Sequence, residues 1–164
     1  AATWNQEGTH LASAAADKFA KVFDAKTGKY LRSFEGHTHH VLGVGWNRTG
    51  RTIATAGADD VVKVWSVETG QQVRTVQGFA KQATALRYLP FGDQFVVAAG
   101  GAPVRLVGEN GQTVRNFDAQ GAFIYALALS ADGRLVAAGG LDGALRVWGA
   151  GDGRSLAVFT PPAK

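Results

Sequence analysis

Two clusters of side chains in this 164-residue chain could do chemistry. His37 and Asp59 could form a general base, which would also need a nucleophile presented in a cleft. The run His37-Thr38-His39-His40 could offer imidazoles to a metal, but its spacing fits no familiar zinc site and no carboxylate or thiolate adjoins it. Asp59-Asp60 lacks the alternating oxygen ligands of a calcium loop. We therefore predict no catalytic residue, no metal site and no cofactor.

The elements that would position these residues repeat along the chain. Four glycines recur 42, 42 and 41 residues apart, at Gly8, Gly50, Gly92 and Gly133. A period near forty indicates one supersecondary unit used four times, and such units must stack to bury their apolar faces. We expect one domain over residues 1–164, with units at about 1–36, 37–78, 79–119 and 120–164.

Within each unit the apolar pattern has a period of two, which predicts β-strands. In the second unit, strands are expected at about 41–47, 51–57, 61–67 and 71–77. Four-stranded antiparallel sheets that repeat every 40–45 residues or so are typical of propeller blades. The predicted fold is therefore all-β, a β-propeller segment of four four-stranded antiparallel blades. The first blade is expected to have a truncated inner strand, because Ala1 aligns with Gly43.

The second unit contains, in order, Gly36-His37, Val41, Trp46, Gly50, Ile53-Ala54-Thr55, Asp59 and Val64-Trp65. With these residues at these positions, the unit resembles a WD repeat. The resemblance implies a structural tetrad of hydrogen-bonded side chains, which the second unit has complete as His37, Thr55, Asp59 and Trp65. The first unit keeps Ser13 and Asp17, the fourth keeps Asp142 and Trp148, and the third keeps none. The resemblance therefore favours a structural role for His37 and Asp59 over a catalytic one.

The same resemblance implies a partner-binding surface at the top of the propeller, near the channel mouth. The implied contact residues are His40, Leu42, Gln82, Thr84, Phe123, Tyr125 and Leu141. Aromatic side chains dominate the energetics of many interfaces, which makes Phe123, Tyr125 and Leu141 the candidate anchor. The alternative is that Phe123 and Tyr125 only pack against each other and the neighbouring unit.

An arc of four units should leave an uncovered flat face at each end. We expect these faces to carry apolar residues such as Val22, Leu31, Val147 and Leu156. Large apolar patches are uncommon on soluble monomers, so we predict that something covers them. One option is self-association, in which a second copy completes an eight-bladed ring. The other is additional blades, on upstream sequence or on another chain.

Charge and composition narrow the classes of function. The net charge is +4, but the 17 Lys and Arg residues form no basic run, so no specific nucleic-acid partner is predicted. Cations recur at one repeat position, which predicts a solvated face, at Lys21, Lys63, Arg105 and Arg146. No apolar run approaches 18 residues or so and no leader is visible, which predicts no membrane association. We expect a soluble protein, cytoplasmic or periplasmic, and its compact turns favour a bacterial source.

These observations predict a non-catalytic scaffold or protein–protein interaction module that displays top-surface loops on a propeller. One alternative is an engineered or excised half-propeller that self-associates into a closed eight-bladed ring without a ligand. A second alternative is a ligand-binding or enzymatic propeller that uses its central channel. That alternative would need convergent polar groups on the first strands, where the sequence has mainly Ala, Leu, Gly and Val.

Overall fold

The structure is a computed structural model that describes residues 1–162, so the last two residues of the predicted fourth unit lie outside the described residues. The described range contains sixteen strands and no helix. The strands form four antiparallel sheets, each of four consecutive strands in chain order. The predicted all-β class and the arrangement in four four-stranded blades are confirmed. Within residues 1–162, no helix has the length and apolarity that crossing a bilayer requires.

The strand bounds follow the repeat. Sheet 1 contains β1 (Ala2–Trp4), β2 (His10–Ala14), β3 (Ala20–Asp24) and β4 (Tyr30–Phe34). Sheet 2 contains β5 (Val41–Trp46), β6 (Thr52–Gly57), β7 (Val62–Ser66) and β8 (Gln72–Val76). Sheet 3 contains β9 (Ala83–Tyr88), β10 (Phe95–Ala99), β11 (Val104–Val107) and β12 (Thr113–Phe117). Sheet 4 contains β13 (Ile124–Leu129), β14 (Leu135–Gly140), β15 (Leu145–Gly149) and β16 (Ser155–Phe159).

Glycine fixes the turn between the first two strands of each sheet. In sheet 2 the Gly50 N–H donates to the Asn47 carbonyl at 3.1 Å, and Gly50 has a φ of 69°. Side chains rarely adopt this left-handed conformation, so glycine is the residue that suits it best. The first strand of sheet 1 has three residues where the other first strands have six, as its alignment predicts.

Three apolar layers lie between consecutive sheets and form the core. We call the side of a sheet that faces the preceding sheet in the chain its preceding face, and the other side its following face. Between sheets 1 and 2, Val22 packs with Trp46 and Trp65. Between sheets 2 and 3, Val62 packs with Leu86 and Phe95. Between sheets 3 and 4, the buried cluster includes Phe117 and Trp148, whose ring centroids lie 5.8 Å apart.

The first strands of successive sheets lie side by side, with contacts from β1 to β5, β5 to β9 and β9 to β13. A cavity of about 210 Å³ at their ends is lined from all four sheets, by residues that include Trp4, Trp46, Tyr88 and Leu129. Glycine permits the close approach, because a Cβ on Gly45 would lie 2.7 Å from Leu86 Cδ2. The four sheets therefore radiate from a shared hub.

Candidate functional site

The tetrad side chains of sheet 2 form one continuous chain of hydrogen bonds. The Trp65 indole N–H donates to Thr55 Oγ1 at 2.8 Å, and Thr55 Oγ1 lies 2.7 Å from His37 Nε2. His37 Nδ1 lies 2.8 Å from Asp59 Oδ1, and the Thr38 backbone N–H donates to Asp59 Oδ2 at 2.9 Å. The network therefore links four parts of the second unit: the loop that precedes β5, the strand β6, the turn that follows β6, and the strand β7.

Burial and hydrogen bonding set the protonation of this network. Burial lowers the pKa of His37 below its ordinary value of 6.5, although Asp59 acts in the opposite direction. Burial raises the pKa of Asp59, but the donors from Thr38 and His37 outweigh it and leave that pKa below its ordinary value. The network thus contains a neutral imidazole that donates from Nδ1 to an ionised carboxylate, while its Nε2 accepts from the Thr55 hydroxyl.

The arrangement of a carboxylate, an imidazole and a hydroxyl resembles a nucleophile with its base, but it is closed to solvent. Thr55 is fully buried, and the His37 side chain is only 1% exposed. The Thr55 hydroxyl also accepts the indole N–H, so it does not face a cleft. A substrate therefore has no approach to this hydroxyl.

The other sheets place different side chains at the tetrad positions. In sheet 1, Asp17 pairs with Lys21 at the surface and is not joined to Ser13, which is half-buried. In sheet 4, Asp142 Oδ2 accepts from Arg146 Nη2 at 2.5 Å, while Trp148 packs on Phe117. The structure therefore brings together the four tetrad residues of sheet 2, but not those of sheets 1 and 4.

Sheet 3 replaces the tetrad with a cation–π contact. Phe79 occupies the histidine position, and the Arg105 guanidinium lies 3.5 Å from its ring centroid. Burial lowers the pKa of Arg105, but the arginine stays charged, and the face of an aromatic ring attracts a cation. Val97 takes the place of Thr55, so no hydroxyl needs a partner there.

The prediction of a solvated face for the recurring cations is wrong for Arg146. This residue is only 4% exposed, and its Nε is buried without a hydrogen-bond partner in the described part of the chain. Asp142 raises the pKa of Arg146, which stays charged. The period of two could have predicted this burial, because a residue two positions before the buried Trp148 shares its side of the strand.

The predicted partner surface has both exposed and half-buried members. His40, Gln82, Tyr125 and Leu141 are exposed, whereas Leu42, Thr84 and Phe123 are half-buried. Thr84 Oγ1 donates to the Ile124 carbonyl at 2.6 Å, which ties sheet 3 to sheet 4. Gly100 forms an isolated bridge with Phe123, and a Cβ on Gly100 would lie 2.3 Å from the Phe123 ring. Phe123 is therefore seated on sheet 3.

Tyr125 contacts the ring of Phe123, and Leu141 is joined to Phe123 through the backbone. The ring centroids of Phe123 and Tyr125 are 5.0 Å apart, and the Leu141 N–H donates to the Phe123 carbonyl at 2.8 Å. Tyr125 is 56% exposed and Leu141 is 71% exposed. Together Phe123, Tyr125 and Leu141 form an apolar cluster at one end of sheet 4, which we call the rim cluster.

The outer faces of sheets 1 and 4 are apolar, but their residues differ in part from those predicted. Val22 is buried between sheets 1 and 2, so its expected place on an end face is wrong. The preceding face of sheet 1 instead presents Trp4, Leu11 and Phe23, with Trp4 57% exposed. Of the other residues that were expected on these faces, Val147 is half-buried, whereas Leu31 and Leu156 are exposed.

A hub of stacked four-stranded antiparallel sheets, with a buried hydrogen-bond network in one of them, defines a β-propeller segment. The family model described as WD domain, G-beta repeat matches residues 28–66 and 111–149. Each match spans the last strand of one sheet and the first three strands of the next. The chain therefore contains WD repeats, and the WD-repeat fold generally serves as a protein-interaction scaffold. No curated protein gave a significant match to the chain.

Proposed function

We propose that the chain is a non-catalytic scaffold that binds a protein partner through the rim cluster. One observation carries this proposal: Tyr125 and Leu141 are largely exposed at the same end of sheet 4, and Tyr125 lies beside the ring of Phe123, which packs on sheet 3. Interfaces gain most of their binding energy from a few residues, among which tyrosine is enriched, so Tyr125 is the main anchor of this proposal. Tyr125 is also held by strand β13, and a contact on an ordered strand needs little further ordering of the backbone when a partner binds.

The seven predicted contact residues divide into two roles in this proposal. Phe123 and Thr84 hold sheets 3 and 4 together and position the surface, because one packs on Gly100 and the other donates to the Ile124 carbonyl. Tyr125 and Leu141 make the contact. His40, Leu42 and Gln82 lie at corresponding positions of sheets 2 and 3 and would extend the same surface.

A capture experiment with matched variants tests this proposal. The variant Tyr125→Ala, Leu141→Ser should lose a partner that the wild-type chain retains from lysate, while its thermal midpoint stays close to the wild-type value. Phe91→Ala is the control, because Phe91 is 61% exposed in the turn between β9 and β10, at the opposite strand end. Equal capture by wild type and the double variant would contradict the assignment of the rim cluster.

The absence of catalysis in this proposal is supported by the buried tetrad. The residues that could act as base and nucleophile donate and accept bonds within sheet 2. Within residues 1–162, no group of three or more His, Cys, Asp or Glu side chains is placed to hold a metal. Hydrolysis of activated esters by the chain, abolished by Thr55→Val, would contradict this part of the proposal.

A second candidate function is self-association through the outer sheet faces. The observation that favours it is the exposure of large apolar side chains on both faces, including Trp4 on sheet 1 and Phe159, which is 59% exposed, on sheet 4. Exposed apolar area of this kind is typical of an interaction surface. A second copy or additional blades on another chain could cover it.

A further inference from the structure

The internal junctions of the chain show how one sheet receives the next. At the first junction, the Trp46 indole N–H of sheet 2 donates to the Thr3 carbonyl of sheet 1 at 3.2 Å. At the second, a Cβ on Gly43 of sheet 2 would lie 3.3 Å from the Cα of Ala85 in sheet 3. At these two junctions, residues near the hub on one face thus lie against the first strand of the next sheet, which carries a large aromatic residue, Trp46 in sheet 2 and Tyr88 in sheet 3.

The following face of sheet 4 carries the residues of one half of such a junction. Its positions correspond to buried positions on the following face of sheet 2 that lie 83 residues earlier. Leu145 corresponds to Val62, Val147 to Val64, and Phe159 to Val76. Near the hub, the small residues Ala126 and Ala128 correspond to Gly43 and Gly45. Val62 is fully buried, whereas Leu145 is 43% exposed.

The preceding face of sheet 1 carries the residues of the other half. Trp4, Leu11 and Phe23 lie 42 residues before Trp46, Ile53 and Trp65, which pack against sheet 1. Tyr30 extends the patch, since its ring centroid lies 6.0 Å from that of Phe23. One chain therefore presents both halves of its own repeating interface.

We propose that the following face of sheet 4 docks on the preceding face of sheet 1 in a second copy of this chain. Two copies related by a twofold axis would form two such junctions and close a ring of eight sheets. This inference rests on the second candidate function and identifies its partner. A second copy is the occupant that fits, because it supplies the complementary half at both ends and leaves no apolar face uncovered. Eight sheets is within the usual size of propellers.

The internal junctions also predict the register of this contact. The Trp4 indole N–H of the second copy would donate to the Ala128 carbonyl, because Ala128 lies at the position of Thr3. Ala1 of the second copy would lie against Ala126, as Ala85 lies against Gly43. The chain lacks cysteine, so introduced thiols can report this register without background reactions.

Disulfide trapping tests the register. The full chain with Ala1→Cys and Ala126→Cys, treated with a mild oxidant, is expected to form a dimer joined by two disulfides. The control is Ala1→Cys with Ala137→Cys, because Ala137 is on the same face but one strand further from the hub. Disulfides need Cα atoms within about 7 Å, so the control should trap at least about tenfold less dimer.

Three outcomes would overturn the proposal. These are monomer only, a ladder of open higher oligomers, or equal trapping by the register pair and its control. Monomer would mean that additional blades or another protein cover the faces. Leu145→Asp in the trapping background should reduce the dimer at least about tenfold, because it places a charge in an apolar junction. Circular dichroism of the β-sheet signal checks that this variant is folded.

The same experiment separates this inference from the scaffold proposal. Tyr125→Ala with Leu141→Ser removes the exposed part of the rim cluster and should leave trapping unchanged. Loss of partner capture with normal trapping would therefore concern the rim cluster alone. Normal capture without trapping would overturn only the inference about the second copy.

Discussion

The following faces of sheets 2 and 4 have similar apolar residues but very different surroundings. Val62 and Val64 are buried against sheet 3, whereas the corresponding Leu145 and Val147 face outward. At the tetrad positions, the side chains of His37 and Asp59 are 1% and 7% exposed, whereas that of Asp17, which pairs with Lys21 instead of a histidine, is 43% exposed. Repeated sequence thus specifies an interface, and only a neighbouring sheet determines whether that interface is buried.

The largest loss of stability is expected at the tetrad of sheet 2, which sheet 1 covers. Asp59→Ala removes the acceptor of the His37 and Thr38 N–H groups, and such a loss in a buried network costs about 3 kcal/mol of the free energy of unfolding. Asp17→Ala is the matched control at the uncovered position and should change little. Chemical denaturation measures both. Equal destabilisation by the two changes would show that the buried network of sheet 2 contributes no more stability than the surface ion pair of sheet 1.

The next effect concerns apolar truncation at one repeat position. Val62→Ala leaves a cavity at a fully buried site and should cost about 2 kcal/mol. Leu145→Ala should cost clearly less in dilute protein, where copies are separate. Urea unfolding at two protein concentrations distinguishes the two sites, because association would make Leu145→Ala lose more free energy of unfolding at the higher concentration. A cost for Leu145→Ala equal to that for Val62→Ala at every concentration would contradict it.

A smaller effect is expected for glycines on the two following faces. Gly45→Ala forces a Cβ to 2.7 Å from Leu86 Cδ2, which should cost about 1.5 kcal/mol. Gly139→Ala meets nothing within 4 Å and should be close to neutral. Thermal unfolding compares the variants. A neutral Gly45→Ala would show that the hub is less tightly packed than this account requires.

The covered tetrad should also make stability depend on pH. The pKa of His37 is lowered on folding, so the unfolded chain binds its proton first as the pH falls below 6.5. The stability contributed by His37 is therefore present above pH 6.5 and lost progressively below it. The lowered pKa of Asp59 adds a further loss at more acidic pH. Urea midpoints from pH 7 to pH 5 or so should fall less steeply in His37→Gln than in the wild type.

The smallest effect is expected for the buried cation of sheet 4. Arg146→Met should change the free energy of unfolding by less than about 1 kcal/mol, because it removes a buried charge and the carboxylate that remains is exposed enough to be solvated. The partner Asp142 keeps access to water, since its side chain is 39% exposed. A loss as large as that for Asp59→Ala would show that Arg146 has a structural role equal to that of the tetrad.

Repetition and strand patterning made most of the fold predictable from sequence. The glycine period and the alternation around Val64-Trp65 predicted four sheets, and the second-unit strands agree with those of the structure to within one residue. The residues on the outer faces were harder to predict. Alternation shows which residues share a face of a sheet with Val22, but not whether a neighbouring sheet covers that face. Arg146 was missed because charge suggested solvent, whereas its strand position next to Trp148 indicated burial.

If the two uncovered faces are halves of one junction, they should pair between two copies of the chain. Sedimentation velocity of the wild-type chain across the micromolar range measures this most directly. We predict a species of twice the 17.2 kDa chain mass that dissociates on dilution and is lost in Leu145→Asp. A single species of 17.2 kDa at every concentration, or a continuous series of larger oligomers, would contradict it.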